Sequence, residues 1–236
     1  MSNNVSYYLG RNGMIDRKFA VVVCISVMLQ GCASTRLDPV QADMASWGKT
    51  ATAQTVSVLV YSPPALKVKT PGDVAGAGMI DALTKPDSTR VAAPIPSYLV
   101  AKGLARGLSA KSGVPFKEPT FDLVPMPLPE RIEDYRRSVV TDYVLEVSAT
   151  THQFWYRPLN WATYQYWLVA HARLIDVKNA KIVWAQKCEV GTPGVGTDAK
   201  ELQLTSDEFG PKQGQKVRDI IALGAKQCTD LMLAAK

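Results

Sequence analysis

The side chains that most often carry chemistry are few in this sequence, which has four cysteines and two histidines. Catalysis by a Cys-His or Ser-His-Asp arrangement needs a histidine beside a nucleophile, and a zinc site needs three or four ligands at coherent spacing. Neither pattern surrounds the histidines here. We expect His152 to open a loop and His171 to face solvent, on the strand face that points away from Leu168. The sequence therefore predicts no catalytic residue, no metal site and no cofactor.

One cysteine, Cys32, follows a short apolar segment. A basic pair, Arg17-Lys18, precedes the 11 apolar residues 19–29, which is the order found in a signal peptide. A helix of that length spans about 16 Å, too little for a bilayer core of roughly 30 Å, so a transmembrane anchor is not expected. The segment that begins at Leu29, Leu-Gln-Gly-Cys, resembles the lipobox of bacterial lipoproteins.

This resemblance implies export, cleavage before Cys32 and attachment of diacylglycerol and palmitate to that residue, so that lipid on Cys32 is the contact with the membrane. Several acyl chains bury far more CH₂ groups than the single chain that gives marginal binding. In the family an Asp after the cysteine favours the inner membrane. Ala33 stands there instead, which implies the periplasmic face of the outer membrane. We expect translation to start at Met14. The alternative is an ordinary signal peptide with a chance Gly-Cys pair.

Composition and charge limit which classes of protein the remainder of the chain can belong to. The 236 residues are 47% hydrophobic and 20% charged, as in an ordinary globular protein. Removing residues 1–32 lowers the formal net charge from +6 to +4, and the basic residues are scattered, so no nucleic-acid partner is expected. We assign residues 1–32 to a leader and signal peptide. Residues 33–54 are small and polar, and we assign them to a flexible tether with an exposed Trp47. Residues 55–236 form one periplasmic domain in this prediction.

The residue pattern of that domain predicts an α+β fold. Runs of β-branched and aromatic residues are typical of strands, and apolar residues at helical spacing predict helices. Strands are predicted over 55–61, 142–149, 164–175 and 181–190, and helices over 98–111 and 217–235. The last three strands form an antiparallel meander sheet with helices packed on one face. Ser97 is expected to cap the first helix, Gly103 and Gly107 to allow close helix packing, and Asn179 to take the left-handed conformation in the last turn.

The stretch from Leu174 to Trp184 consists of an apolar strand, an Asp, a turn and then Val-Trp. It resembles bacterial envelope lipoproteins with a TolB N-terminal-domain-like or CsgG-like α+β domain. The resemblance implies a role in the assembly, secretion or scaffolding of envelope machinery, and it carries over no catalytic residues.

Two further cysteines, Cys188 and Cys228, lie in the mature domain. An even number of thiols in an oxidising compartment predicts a disulfide. In the chain-entropy treatment, this bond would stabilise the folded state by about 4 kcal/mol. The alternative is a pair of buried free thiols.

Residues 154–167 are the most aromatic part of the chain, with three tryptophans and three tyrosines. Such side chains pair an apolar ring with a polar tip, which suits a protein interface, a lipid surface or sugar stacking, but they also suit the core of the domain itself. The candidate partner-binding residues are Trp155, Tyr156, Arg157, Trp161, Tyr164 and Trp167.

These observations favour a non-catalytic accessory or scaffold lipoprotein in an envelope assembly or secretion complex, with an envelope protein as partner and homo-oligomerisation left open. The alternative is a lipoprotein that binds peptidoglycan or an exported polysaccharide through the aromatic segment. A hydrolase ranks third.

Overall fold

The computed structural model describes residues 40–51, 55–69, 93–125, 134–135, 139–157, 160–192, 200–209 and 214–235, and for Trp161 and Phe209 the backbone only. The predicted leader, Cys32 and residues 33–39 lie outside the described residues. In the ranges just given, no helix is long and apolar enough to cross a membrane.

Three helices and six strands make up the described part of the domain, together with two short 3₁₀ helices at Lys200–Leu202 and Ser206–Phe209. The helices are α1 (Met44–Thr50), α2 (Pro96–Ser112) and α3 (Gly214–Ala234), and the strands are β1 (Ser57–Val60), β2 (Lys67–Lys69), β3 (Tyr143–Arg157), β4 (Asn160–Asp176), β5 (Lys181–Val190) and β6 (Gln203–Thr205).

The six strands form one sheet in the order β1-β3-β4-β5, with β2 also paired to β3 and β6 to β4. β3, β4 and β5 are antiparallel neighbours along the chain, which confirms the predicted meander and the α+β class. β1 and β2 run parallel to β3. A parallel neighbour needs a crossover connection, and the segment between β1 and β3 contains α2.

The main core lies between the sheet and the helices. Apolar side chains at alternate positions of β3 and β4 face α2 and α3, as the two-residue period of a strand requires. The buried set includes Leu145, Val147, Phe154, Tyr166, Leu168 and Leu174 from the sheet, and Leu104, Leu108, Ile221 and Met232 from the helices.

The contact between α2 and α3 depends on two glycines, as predicted. A Cβ on Gly103 would lie 2.7 Å from the Thr229 Cγ2 atom, and one on Gly107 would lie 2.3 Å from the Leu233 Cδ1 atom. Real Cβ atoms do not approach other atoms so closely. The two glycines therefore let the helices pack closer than any larger residue would allow.

Ser97 does not cap α2, contrary to the prediction. The helix begins two residues earlier than predicted, with Ile95 as N-cap and Pro96 at the first helical position, where a proline loses no hydrogen bond. The buried Ser97 hydroxyl instead donates to the Tyr61 carbonyl at 2.9 Å. It therefore joins the start of α2 to the end of β1.

The segment predicted as a flexible tether contains α1, so that prediction is wrong for residues 40–51. Asp43 caps this helix with its side chain, and Met44 is buried. Trp47, predicted to be exposed, packs against Phe116 and edge-on against Tyr143, with ring centroids 5.2 Å apart in the second pair. Burial of these apolar rings holds the helix on the domain, although the surrounding residues are small and polar.

The hairpin of β3 and β4 is longer than predicted. β3 continues through residues 150–157 after an irregularity in register between Ala149 and Thr151. His152, expected to open a loop, lies within β3 and is 5% exposed. The turn between β4 and β5 also differs in detail, because Ala180 has the positive φ of 51° that we expected at Asn179.

Asn179 has another role in that turn. Its backbone N–H and side-chain amide both donate to the Asp176 carboxylate, at 2.9 and 2.8 Å. An Asp at the start of a turn commonly accepts such bonds. The Asp therefore fixes the turn that connects the last two strands of the meander.

Candidate functional site

The sheet has a second face, opposite α2 and α3, which we call the distal face. Side chains of β3 and β4 that do not point into the helix-side core lie on it. On this face, Trp155 of β3 is directly opposite Gln165 of β4, and Gln153 of β3 is directly opposite Trp167 of β4. The two tryptophans therefore lie diagonally, with an amide beside each.

The two tryptophans contact each other. The ring centroids of Trp155 and Trp167 are 6.3 Å apart with an interplanar angle of 76°, an edge-to-face geometry that aromatic pairs favour. The Trp167 indole N–H donates to the Glu189 carboxylate of β5 at 3.1 Å. Both indoles are partly buried.

Cationic side chains flank this pair. Parallel register places Lys67 beside Gln153 and Lys69 beside Trp155 on the same face, and Arg157 is two positions further along β3. On the other side, Lys187 of β5 lies 3.6 Å from Glu189. We call the set Lys67, Lys69, Trp155, Arg157 and Trp167 the distal patch.

The six predicted partner-binding residues are not all brought together. Trp155, Arg157 and Trp167 lie on the distal face, whereas Tyr156 and Tyr164 are opposite each other on the helix side. Tyr164 is 8% exposed and belongs to the core, and Tyr156 packs against that core. Alternation along the strands therefore divides the candidate residues between the two faces of the sheet. Their role in binding a partner stays a prediction. The side chain of Trp161 lies outside the described residues.

Sequence reasoning missed a buried ionic cluster at the opposite end of the distal face. Glu146, 3% exposed, accepts hydrogen bonds from the Arg173 guanidinium and the Tyr135 hydroxyl. The Tyr61 and Tyr135 hydroxyl oxygens are 3.3 Å apart. The sequence feature that indicates this cluster is a lone Glu inside an apolar strand, Val-Leu-Glu-Val. A carboxylate is rarely buried without a partner.

The cluster changes the pKa values of its members. Burial is the largest effect on the Arg173 pKa and lowers it, but the hydrogen bond and charge of Glu146 together outweigh it, so the pKa stays above its ordinary value. The Tyr135 pKa is raised well above its usual value, first by burial and then by the Glu146 charge. Both groups therefore stay protonated throughout the neutral range.

The two histidines lie on opposite faces of the sheet, and the pKa of each is lowered. His152 is buried on the helix side with its ring edge-on to Tyr166, at 5.7 Å between centroids, and burial lowers the pKa of His152 to about 4. His171 lies on the distal face opposite Ser148, and its pKa is lowered by burial and by the charges of Lys187 and Arg173. In the described part of the chain, no group of three or more His, Cys, Asp or Glu side chains could hold a metal.

The predicted disulfide is present. Cys188 of β5 and Cys228 of α3 are joined, with their Cα atoms 5.3 Å apart. Both residues are buried in the main core. The bond therefore connects the closing helix to the last strand of the meander, on the side of the sheet away from the distal patch.

Comparison with known proteins identifies no family. No protein-family model matches the chain, and no curated protein matches it. Among solved structures, the chain is similar to the PelC dodecamer from Paraburkholderia phytofirmans, with 13% identity and a TM-score of 0.29 over 72% of this chain and 87% of that one. It is also similar to the lipoprotein GNA1162 from Neisseria meningitidis, with 16% identity and a TM-score of 0.27 over 62% and 90%.

A third similar structure is the LpoB C-terminal domain from Salmonella enterica, with 15% identity and a TM-score of 0.28 over 71% of this chain and 93% of that domain. The structural neighbours thus include bacterial lipoproteins. Likeness of this degree assigns no activity and no partner. The lipobox and the TolB-like or CsgG-like resemblance stay predictions.

Proposed function

We propose that this chain is a non-catalytic accessory lipoprotein of the bacterial envelope, anchored by lipid on Cys32 to the periplasmic face of the outer membrane. In this proposal the distal patch binds a protein partner and holds it in an assembly or secretion complex. The observation that carries the proposal is the pair Trp155 and Trp167, in contact on a sheet face that the described helices do not cover.

Residue type and position both support an interface at this patch. Tryptophan and arginine are the residues most enriched among those that dominate protein binding energies. The distal face places two tryptophans and Arg157 side by side, although the main core already lies on the other side of the sheet. The rings are therefore not needed to fill the space beneath α2 and α3.

The anchor would keep the domain near the membrane. Seven residues separate Cys32 from Val40, and Val40 already forms backbone hydrogen bonds with Ala185 of β5. Eight extended residue steps cover less than about 30 Å. A partner bound to the distal patch would therefore be held within a domain's width of the lipid surface.

Two experiments test the two halves of the proposal. In cells fed radiolabelled palmitate, the wild type should incorporate label into a membrane-bound mature form, and Cys32→Ser should remain an unlabelled precursor. A labelled or mature membrane-bound Cys32→Ser protein would show that the anchor is wrong.

For the binding half, Trp155→Ala and Trp167→Ala should abolish recovery of crosslinked partners from cells while the melting temperature changes little. Tyr164→Ala is the matched control, because loss of a core ring should cost about 3–5 kcal/mol of stability. If the tryptophan variants lose stability like Tyr164→Ala and keep their partners, the patch is structural. If they bind sacculi less well but keep protein partners, the patch is a glycan site.

A further inference from the structure

The charges around the tryptophan pair are unbalanced. Besides Arg157, the strand residues described on this half of the distal face include three cations, Lys67, Lys69 and Lys187, but only one carboxylate, Glu189. That carboxylate is already shared between Lys187 and the Trp167 indole. The distal patch therefore presents net positive charge, which favours an anionic ligand by charge complementarity.

The spacing of the two lysines indicates the shape of that ligand. Lys67 and Lys69 are alternate residues of β2 on one face, so they recur every 6.6 Å or so along the strand. Alternate side chains of an extended polypeptide have the same spacing. Lys67 is exposed and Lys69 is partly buried. Carboxylates at every second residue of an extended partner would match this pair.

The edge of the sheet offers a place for such a segment. Among the described strands, β2 pairs only with β3, so its other edge has no strand beside it in that part of the chain. An unpaired edge can add a strand from a partner through backbone hydrogen bonds, with side-chain contacts giving specificity. Trp155 lies on β3, beside Lys69 in the register, so an apolar ring lies one strand in from this edge.

The aromatic rings of this region have two different mutual orientations. Trp155 and Trp167 are tilted by 76° to each other, and Trp167 is held by its bond to Glu189. The ring of Trp155 is nearly parallel to that of Tyr156, at an angle of 17°. The choice of a polypeptide as ligand therefore rests on the charge and spacing of Lys67 and Lys69.

We propose that the distal patch binds an extended acidic segment of the partner protein, aligned with β2, with carboxylates at alternate residues beside Lys67 and Lys69. This inference rests on the proposed function and names the chemistry of its partner.

The test uses the full-length lipidated chain in detergent micelles and a 20-residue peptide of alternating Glu and Thr. Binding is followed by tryptophan fluorescence and by calorimetry. Lys67→Glu/Lys69→Glu should weaken binding about tenfold, since two attractive contacts become repulsive. Lys102→Glu/Lys117→Glu, which makes the same charge change in and just after α2, should leave the affinity unchanged. A peptide of the same composition in blocks should bind less well than the alternating one.

Several results would overturn the inference. Lysines on an edge strand also prevent unwanted sheet pairing, and if that is their only role, neither peptide will bind in a manner that depends on Lys67 and Lys69. Equal losses in both double variants would show bulk charge attraction. Binding of polygalacturonate in preference to the peptide would assign the patch to acidic glycans. If the peptide fails while Trp155→Ala still abolishes partner recovery, the acidic ligand is wrong and the proposed function stands.

Discussion

Breaking the bond between Cys188 and Cys228 should destabilise the domain by an amount that follows from the loop it closes. The two residues are 40 positions apart. In the chain-entropy treatment, a crosslink of this separation restricts the unfolded chain enough to stabilise the fold by about 4 kcal/mol. The closed loop includes β6 and about the first two thirds of α3, so without the bond both elements depend on packing alone.

The assay is urea unfolding of the oxidised and the reduced protein, followed by far-UV circular dichroism. With an unfolding slope of about 2 kcal/mol per molar urea, a difference of that size moves the midpoint down by about 2 M. Reduction leaves both sulfurs in the buried positions they now occupy, so this comparison isolates the crosslink from any change in packing.

A double variant, Cys188→Ala/Cys228→Ala, separates the crosslink from the buried sulfurs. Both positions are buried, so removal of the sulfur atoms should cost roughly 1 kcal/mol more than reduction does, and reductant should then have no effect. If oxidised and reduced wild type unfold at the same urea concentration, or if mass analysis of periplasmic protein finds both thiols free, the reasoning from loop closure is refuted.

Three further predictions follow from buried contacts. Gly103→Leu should destabilise by about 1–3 kcal/mol through overpacking against α3, whereas Ala110→Leu, at an exposed position of α2, should be nearly neutral in thermal unfolding. Arg173→Met should cost about 3–5 kcal/mol in urea unfolding because the Glu146 carboxylate stays buried without its partner, and replacing both residues by Met should recover most of the loss. The depressed pKa of His152 means that the unfolded chain binds more protons between pH 6.5 and about 4, so stability should fall by up to about 3 kcal/mol as pH falls through that window. His152→Phe should lack this part of the pH dependence. If the difference in unfolding free energy between the wild type and His152→Phe stays constant across this pH window, the prediction is contradicted.

Elements with a clear residue period could be predicted from the sequence, and elements held by distant contacts could not. The meander and both long helices follow from alternation and helical spacing, and the cysteine pair follows from compartment and count. The helix α1 was missed because its sequence is small and polar around Trp47. Contacts with residues far along the chain, among them Phe116 and Tyr143, make it part of the fold.

The candidate site shows the same division. Composition located the aromatic segment, but the register of β3 against β4 decides which rings share a face. A strand that continues through residues 150–157 places Trp155 and Tyr156 on opposite faces by alternation alone. The lysines of β2 could not have been added in this way, because their place beside Trp155 depends on a parallel pairing between segments some 85 positions apart in the sequence.

The two ends of the distal face differ in what a ligand would have to displace. At one end, the Tyr135 hydroxyl bonds to Glu146, and the ring packs on Val144 and Ile175. A ligand that displaced Tyr135 would remove a hydrogen bond to the buried Glu146 carboxylate. A buried charge is tolerated only while its hydrogen bonds and ion pair are formed. At the other end, the tryptophans of the distal patch are partly buried and its lysines are exposed or partly buried, so a ligand can contact these side chains without displacing the bonds of Glu146. If the distal patch binds a partner as proposed, a substitution at Trp155 should therefore act on association, while one at Arg173 should act on folding.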